Sequence, residues 1–141
     1  MKKTPIFILS AVLLFSCKKD SEETCATNTA SVSGSYKVTA VTYKENASAP
    51  EIDYYTAWYT EDCERDDIIT FNSNGTYQSV DAGIVCTPSN GDDGTWSLVG
   101  NTIQLDGDPA TIESFDCKSL KIFTEDNFVD DDKVKITLTK Q

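Results

Sequence analysis

Apolar and polar residues alternate along most of the chain after residue 34, with the period of two that is typical of a half-buried β-strand. The clearest example is the segment 133–139, in which Val134, Ile136 and Leu138 are separated by polar residues. β-Branched and aromatic residues are frequent in such segments, and Gly, Asn and Asp fall between them. The pattern predicts strands at residues 34–44, 68–71, 76–81, 94–98, 102–106, 110–115, 119–123 and 133–139.

Two turns between the predicted strands are well marked. Residues 72–75 read Asn-Ser-Asn-Gly and residues 99–101 read Val-Gly-Asn, and Asn and Gly tolerate the positive φ angles of tight turns. Short antiparallel strands joined in sequence favour an up-and-down barrel, which closes on itself and leaves no sheet edge exposed. We therefore predict an all-β fold, a small eight-stranded antiparallel up-and-down barrel. A two-sheet β-sandwich is the alternative, because its sequence pattern would be similar.

The same alternation predicts which side chains point into the barrel. An eight-stranded barrel has an interior filled by side chains or just wide enough for one small ligand. The predicted inward side chains are bulky, which favours a packed core and leaves little room for a large ligand. They are Tyr36, Val38, Ile69, Phe71, Tyr77, Trp96, Leu98, Ile103, Leu105, Ile122, Val134, Ile136 and Leu138.

The connection at residues 45–66 is the least regular part of the predicted barrel. Its stretch 52–59 is rich in aromatic residues and is predicted to be a short helix or a lid-like loop. These aromatic side chains either form a lid or stacking surface at the barrel mouth, or plug one barrel end and complete the core. They are Tyr54, Tyr55, Trp58 and Tyr59.

The N-terminus has the pattern of a targeting signal. Lys2 and Lys3 precede an apolar run at residues 6–15, which is shorter than the roughly 20 residues that span a bilayer. The run ends in Leu-Phe-Ser-Cys at Cys17, which resembles the lipobox of bacterial lipoproteins. The resemblance implies that residues 1–16 are a signal peptide removed before Cys17, whose thiol then carries diacylglycerol. An ordinary secretory signal with an incidental cysteine is the alternative.

The residues after Cys17 indicate where the protein is held. The charged segment 18–23, Lys-Lys-Asp-Ser-Glu-Glu, is typical of a solvated tether and resembles the segment that follows the cysteine in surface-exported lipoproteins of some Gram-negative bacteria. Lys18, rather than an aspartate, follows the lipid site, and the resemblance to bacterial lipoproteins implies passage to the outer membrane rather than retention in the inner membrane. We expect a monomer anchored there by several acyl chains such as palmitate, with residues 17–31 as a flexible tether and residues 32–141 as the folded domain.

Four further cysteines lie in the exported part of the chain. An even number in an oxidising compartment suggests two disulfides. Three pairings are possible, and we favour Cys63 with Cys86 because they flank one predicted hairpin, which leaves Cys25 with Cys117. A zinc site made of all four is disfavoured, because no two of them have the close spacing that zinc sites usually show.

Composition and charge exclude several classes of function. The chain contains no histidine, which excludes Ser-His-Asp and Cys-His catalytic sites. Its net charge of −11 becomes −13 once Lys2 and Lys3 leave with the signal peptide. No basic patch is available for a phosphate backbone, so we do not expect nucleic acid as a partner.

Carboxylates are the remaining candidate chemistry. Those at residues 61–67 could supply an acid and a base for glycoside hydrolysis, but such a dense acidic run is more typical of a solvated rim, and we predict no enzyme. Acids at residues 92–93, 106–108 and 130–132 could serve calcium, but none fits a calcium-loop pattern, and we predict no metal and no cofactor. The acids of the first cluster are Glu61, Asp62, Glu64, Asp66 and Asp67.

The segment 32–141 resembles the lipocalin-like domain of bacterial lipoproteins. The resemblance is carried by residues 34–38, by the cysteine, acidic run, strand and Asn-Gly turn of residues 63–77, and by Cys86. Residues 94–98 and 134–139 complete it. The chain departs from the lipocalin pattern at Tyr36, where a tryptophan is usual, and the arginine that packs on that tryptophan has no counterpart.

The resemblance implies a barrel that holds a small hydrophobic ligand inside it or at its mouth. The alternative is a solid barrel that uses its loop aromatics to contact a protein or glycan of the cell envelope. The side chains expected to touch a ligand are Tyr36, Phe71, Tyr77 and Trp96 in the barrel and Tyr54, Tyr55, Trp58 and Tyr59 in the loop.

Overall fold

The computed structural model describes residues 25–88 and 91–141. The predicted signal peptide (residues 1–16), Cys17 and residues 18–24 lie outside the described residues. Three short helical segments are α1 Thr29–Val32, α2 Tyr55–Trp58 and a 3-10 turn at Asp62–Glu64. The strands are β1 Gly34–Lys44, β2 Ile52–Asp53, β3 Ile68–Phe71, β4 Thr76–Val80, β5 Asp92–Val99, β6 Thr102–Leu105, β7 Asp108–Phe115, β8 Ser119–Glu125 and β9 Lys133–Lys140.

The strands close into an antiparallel barrel. Each of β3 to β9 pairs with its neighbour in sequence, and β1 pairs with both β3 and β9, which closes a ring of eight strands. The two-residue β2 adds to β1 at Thr42 and Tyr43, where β1 has already left β3. The predicted barrel is therefore confirmed, and the sandwich alternative is wrong, because one continuous sheet closes on itself.

The two ends of the barrel differ. At one end, which we call the closed end, α1 lies beside the tight turns at residues 72–75, 100–101 and 116–118. Asn28 begins α1, its side chain accepting the Ser31 N–H at 3.0 Å, and Val32 is fully buried. At the other end, which we call the mouth, lie the longer connections at residues 45–67, 81–91 and 126–132.

The predicted inward side chains form the core. All of them are buried or pack against the buried cluster. Alternation from Tyr36 and Val38 would place Ala40 inward, but a bulge between Val38 and Ala40 shifts the register. The inward side chain that follows is therefore Val41, which is fully buried. Other buried apolar residues that the sequence did not single out are Val32, Ala110, Ile112 and Leu120.

The side chain of Lys140 lies over the ring of Tyr36. Its Nζ lies 5.5 Å from the centroid of the Tyr36 ring and donates to the backbone oxygen of Ser31 at 2.9 Å. The Tyr36 hydroxyl donates to the oxygen of Val32 at 2.7 Å, and burial raises the pKa of Tyr36 to about 12. A lysine can place a cation over an aromatic face as an arginine does.

Both expected disulfides are present. Cys25 and Cys117 are bonded with their Cα atoms 5.4 Å apart, and this bond ties the start of the described chain to the β7–β8 turn at the closed end. Cys63 and Cys86 are bonded with their Cα atoms 5.3 Å apart, and this bond joins two connections at the mouth. Each end of the barrel therefore carries one covalent tie.

Candidate binding site at the barrel mouth

The barrel interior is filled by aromatic rings. The Phe71 ring centroid lies 5.7 Å from that of Tyr36, 5.2 Å from that of Trp96 and 6.5 Å from that of Tyr77. The Trp96 indole N–H donates to the oxygen of Asn72 at 2.8 Å. A ligand at this level would have to displace one of these rings, so the structure gives Tyr36, Phe71 and Trp96 packing roles in the core.

A small cavity remains above the core, under the α2 segment. It has a volume of about 70 Å³, and its lining includes Val38, Ile69 and Tyr59. Ligand pockets usually measure roughly 300–1,000 Å³, so this cavity has room for a few water molecules only. Burial, with smaller contributions from Tyr55 and nearby carboxylates, raises the pKa of Tyr59 to about 12.

Arg65 holds the plug formed by α2 and the residues after it. Its Nε and Nη2 donate to the backbone oxygen of Tyr59 at 3.2 and 3.0 Å, and its Nη1 lies 2.6 Å from Asp62. The Tyr55 ring packs 5.4 Å from that of Tyr59. The Tyr55 hydroxyl lies 3.3 Å from the oxygens of both Val38 and Arg65 and can donate to either. Tyr55 and Tyr59 therefore close the interior.

Four aromatic rings form a second layer at the mouth, outside the plug. Tyr54 lies at its centre, with ring centroids 5.4 Å from Tyr43, 6.4 Å from Trp58 and 6.1 Å from Phe128. Phe128 also contacts Tyr43 at 5.7 Å and Trp58 at 6.4 Å. We call Tyr43, Tyr54, Trp58 and Phe128 the mouth cluster.

The mouth cluster is partly open to solvent. Trp58 is 39% exposed and Phe128 is 56% exposed, whereas Tyr43 and Tyr54 are half-buried beneath them. Ile52 and Val129, next to them in the same connections, are also exposed. Large apolar side chains that gather on a surface mark a binding site more often than single exposed ones do.

Asp132 positions Phe128. The side chain of Asp132 is fully buried, and its carboxylate accepts the backbone N–H groups of Asn127 at 2.7 Å, Phe128 at 2.8 Å and Val129 at 3.1 Å. Burial acts to raise the pKa of Asp132, but the hydrogen bonds from these N–H groups outweigh it, and the pKa is lowered. Burial and the Asp132 carboxylate raise the pKa of Tyr43.

Carboxylates surround the mouth. In segment 25–141, every Asp and Glu except Glu113 and Asp116 lies in or next to a connection at this end. The predicted acidic cluster at residues 61–67 is part of this ring. Asp66 accepts the Ile84 N–H at 2.8 Å and Asp67 the Ala82 N–H at 3.3 Å, so these acids hold two connections together.

A polar groove lies on the outer face of β1, β7, β8 and β9. Its volume is about 670 Å³. Two of the three lysines that line it form ion pairs, Lys135 with Glu51 at 3.2 Å and Glu113 at 2.9 Å, and Lys133 with Glu125 at 3.0 Å. The groove is larger than the interior cavity, but its ionic lining does not suit a hydrophobic ligand.

Two further surveys bear on the candidate chemistry. Within residues 25–88 and 91–141, no three Asp, Glu, Cys or His side chains come together in an arrangement that could hold a metal ion. In the same part of the chain, no helix has the length and apolar character needed to cross a bilayer.

The structure divides the eight predicted ligand residues into three groups. Tyr36, Phe71, Trp96 and Tyr77 pack in the barrel, Tyr55 and Tyr59 plug it, and Tyr54 and Trp58 belong to the mouth cluster. Sequence reasoning missed Tyr43 and Phe128. A large aromatic residue within the acidic loop 126–132 was the available signal for Phe128. No local pattern shows that this loop meets the end of β1.

One comparison with known proteins identifies a relationship. A family model described as a lipocalin-like domain matches residues 32–140. No curated protein and no solved structure matches the chain.

Proposed function

Because the chain belongs to the family of lipocalin-like domains, we propose that it is a lipid-anchored binding protein that holds a small hydrophobic ligand at the mouth of its barrel. One observation carries the proposal: the exposed mouth cluster lies on a barrel whose interior is filled. Aromatic faces bury a large apolar area and stack on flat ligands. The binding surface is therefore the mouth, and the rings of the interior support it.

The charges around the mouth limit the ligand. An anionic ligand such as a fatty acid would meet the surrounding carboxylates and be repelled. A neutral ligand, or one that carries a positive charge beside an aromatic group, would not be repelled. A cation would also be attracted to the faces of the aromatic rings. We infer a neutral or cationic ligand with a flat apolar part.

The anchor is the second part of the proposal. It is supported by the apolar run that ends at Cys17 and by the small Ser16 before it. Lipid on Cys17 would hold the barrel at the outer membrane. The carboxylates at residues 61–67 have structural hydrogen bonds, and no chemical step is assigned to them.

The test begins with the lipidated full chain, purified from its outer membrane. Solvent extraction and mass spectrometry of the extract should show a neutral or cationic apolar compound. Titration of the emptied protein with that compound, or with a panel of neutral, cationic and anionic aromatic compounds, should change the fluorescence of Trp58. Phe128→Ala should weaken binding about ten-fold, which corresponds to about 1.4 kcal/mol of lost aromatic contact.

Val99→Ala is the matched control. Val99 is exposed and apolar like Phe128 but lies at the closed end, so its removal should leave affinity unchanged. Preference for anionic compounds, or equal losses in the Val99 and Phe128 variants, would contradict binding at the mouth.

A protein or glycan partner is the second candidate. It is favoured by the exposure of Ile84 and Val85, two further apolar side chains in another connection at the mouth. Binding of a flat small molecule with an affinity unaffected by Ile84→Ser would favour the first candidate over this one.

A further inference from the structure

The charges of the barrel are divided between its two ends. The acids gather at the mouth, whereas four lysines lie towards the closed end: Lys37, Lys118, Lys121 and Lys140. Two acids lie near them: Glu113, which pairs with Lys135 at 2.9 Å, and Asp116, whose carboxylate accepts the N–H groups of Lys118 at 2.9 Å and Ser119 at 2.6 Å. The closed end is therefore basic on a protein that is acidic as a whole.

Strand register brings the four lysines onto one side of the closed end. The N–H of Lys140 donates to the oxygen of Lys118 at 2.7 Å. Lys37 in β1 lies opposite Thr139 in β9, and Lys121 in β8 lies opposite Thr137 in β9. Lys37 and Lys121 point outward, because the neighbours of each along its strand are buried in the core.

Three of the four lysines, Lys37, Lys118 and Lys121, are available to an outside partner, whereas the Nζ of Lys140 donates to the backbone oxygen of Ser31 at 2.9 Å. Among the residues that the structure describes, none of the four forms an ion pair with a carboxylate. Lys118 and Lys121 are exposed. By contrast, Lys133 and Lys135, in the half of the barrel nearer the mouth, are paired with acids.

The chain leaves the barrel at this basic patch. Cys25 is bonded to Cys117, the residue before Lys118. Cys17 lies eight residues before Cys25, and an extended chain spans at most about 3.4 Å per residue, so the two cysteines are at most roughly 27 Å apart. A lipid on Cys17 would therefore keep the closed end within roughly 27 Å of the bilayer.

We propose that the closed end of the barrel docks on the anionic headgroups of the membrane that holds Cys17, with Lys37, Lys118 and Lys121 facing the lipid and the mouth facing away. The proposal rests on the lipid anchor proposed above. Lysines attract an anionic surface once a tether holds them within a Debye length of it. The same surface repels the carboxylates of the mouth, so both ends favour one orientation.

Two tryptophan positions can report the orientation. Trp58 lies at the mouth. Val99 is exposed at the closed end, where β5 ends, and it can be changed to tryptophan in a Trp58→Phe background. The lipidated full chain and this variant are placed in phosphatidylcholine vesicles with or without phosphatidylglycerol, each carrying a lipid with a nitroxide quencher on its headgroup. With phosphatidylglycerol, the Val99→Trp indole should be quenched and Trp58 should not. High salt should remove the difference.

Charge reversal provides the matched comparison. Lys118→Glu should lower the ratio of docked to undocked barrel about five-fold or more, because each lysine near an anionic surface contributes that factor. Lys44→Glu makes the same charge change at the mouth end and should leave the quenching unchanged. Buried Trp96 emission confirms that each variant is folded.

Three results would overturn the docking. They are equal quenching at the two positions in a lipidated chain, quenching that does not depend on phosphatidylglycerol, and equal effects of Lys118→Glu and Lys44→Glu. An intact mass without acyl chains would refute the anchor itself, and docking with it, which separates failure of the anchor from failure of the orientation alone.

Discussion

At the scale of single residues, Asp132 connects the fold to the site. Its carboxylate collects the N–H groups that would otherwise lie unpaired in the loop carrying Phe128. Asp126 and Asp131 in the same loop adopt positive φ angles of 57° and 67°, a conformation that Asp tolerates better than most residues. The aromatic surface at the mouth therefore depends on aspartates that look like a plain acidic run in the sequence.

The lowered pKa of Asp132 predicts a pH dependence of this loop. A carboxylate whose pKa is lower in the folded protein stabilises the fold at neutral pH, and this contribution is lost as the pH falls through the lowered pKa. Asp132→Asn should therefore reduce stability at neutral pH, and its difference from the unchanged protein should shrink in acid. Urea unfolding at a series of pH values measures this.

Hydrogen exchange gives the local readout for the same variant. The N–H groups of Phe128 and Val129 should exchange faster in Asp132→Asn, because their acceptor is weakened. Asp130→Asn, an exposed position in the same loop, is the control and should leave both unchanged. Equal effects of the two substitutions at neutral pH would refute the role given to Asp132.

At the scale of elements, the strands could be predicted because each carries its own pattern. The strand at residues 133–139 and the Asn-Gly turn before Tyr77 are local features, and both appear within one residue of their predicted ends. Core positions after Val38 could not be predicted. A bulge between Val38 and Ala40 turns Val41 inward, and the alternation of apolar and polar residues in the sequence does not reveal a bulge. The strand β2 was not predicted, because a strand of two residues is too short to show an alternating pattern.

Only two of the four residues of the mouth cluster could be predicted from the sequence. Tyr54 and Trp58 share one aromatic stretch, which the sequence displays. Tyr43 and Phe128 join them because β1 and β9 stay paired as far as Lys44 and Lys133, a contact between distant parts of the chain. Lys140 over Tyr36 is a similar case, since the sequence shows a lysine but not the ring it will cover.

The two disulfides are predicted to have separable effects. Loss of the Cys63–Cys86 bond, which closes a sequence separation of 23, should cost about 3 kcal/mol, and loss of the Cys25–Cys117 bond, with a separation of 92, about 4–5 kcal/mol. The Cys63→Ser, Cys86→Ser pair should also weaken ligand binding, because that bond holds connections at the mouth.

Urea unfolding followed by Trp96 fluorescence and a ligand titration measure the two effects. The Cys25→Ser, Cys117→Ser pair serves as the control for affinity, since its bond lies at the other end. A loss of affinity in that pair as large as in the mouth pair would contradict the separation of the barrel into two functional ends.

At the scale of the whole molecule, the interior and the two ends of the barrel carry different groups of side chains. The interior is used for packing, the closed end carries lysines and the covalent route to Cys17, and the mouth carries exposed rings within a ring of carboxylates. A barrel of this size can have a solid core or an internal ligand but hardly both. The rings of Tyr36, Phe71 and Trp96 fill that core, and we propose that a ligand binds at the rim.

The two tryptophans allow one direct measurement of this division. In a two-dimensional NMR spectrum of the ¹⁵N-labelled protein, each indole N–H gives a separate signal, one from Trp58 at the mouth and one from Trp96 in the core. Addition of the ligand recovered from the purified protein, or of the best neutral or cationic aromatic compound of the panel, should shift the Trp58 signal and leave that of Trp96 in place. A shift of Trp96 with Trp58 unchanged would show that the ligand enters the barrel and would contradict binding at the mouth.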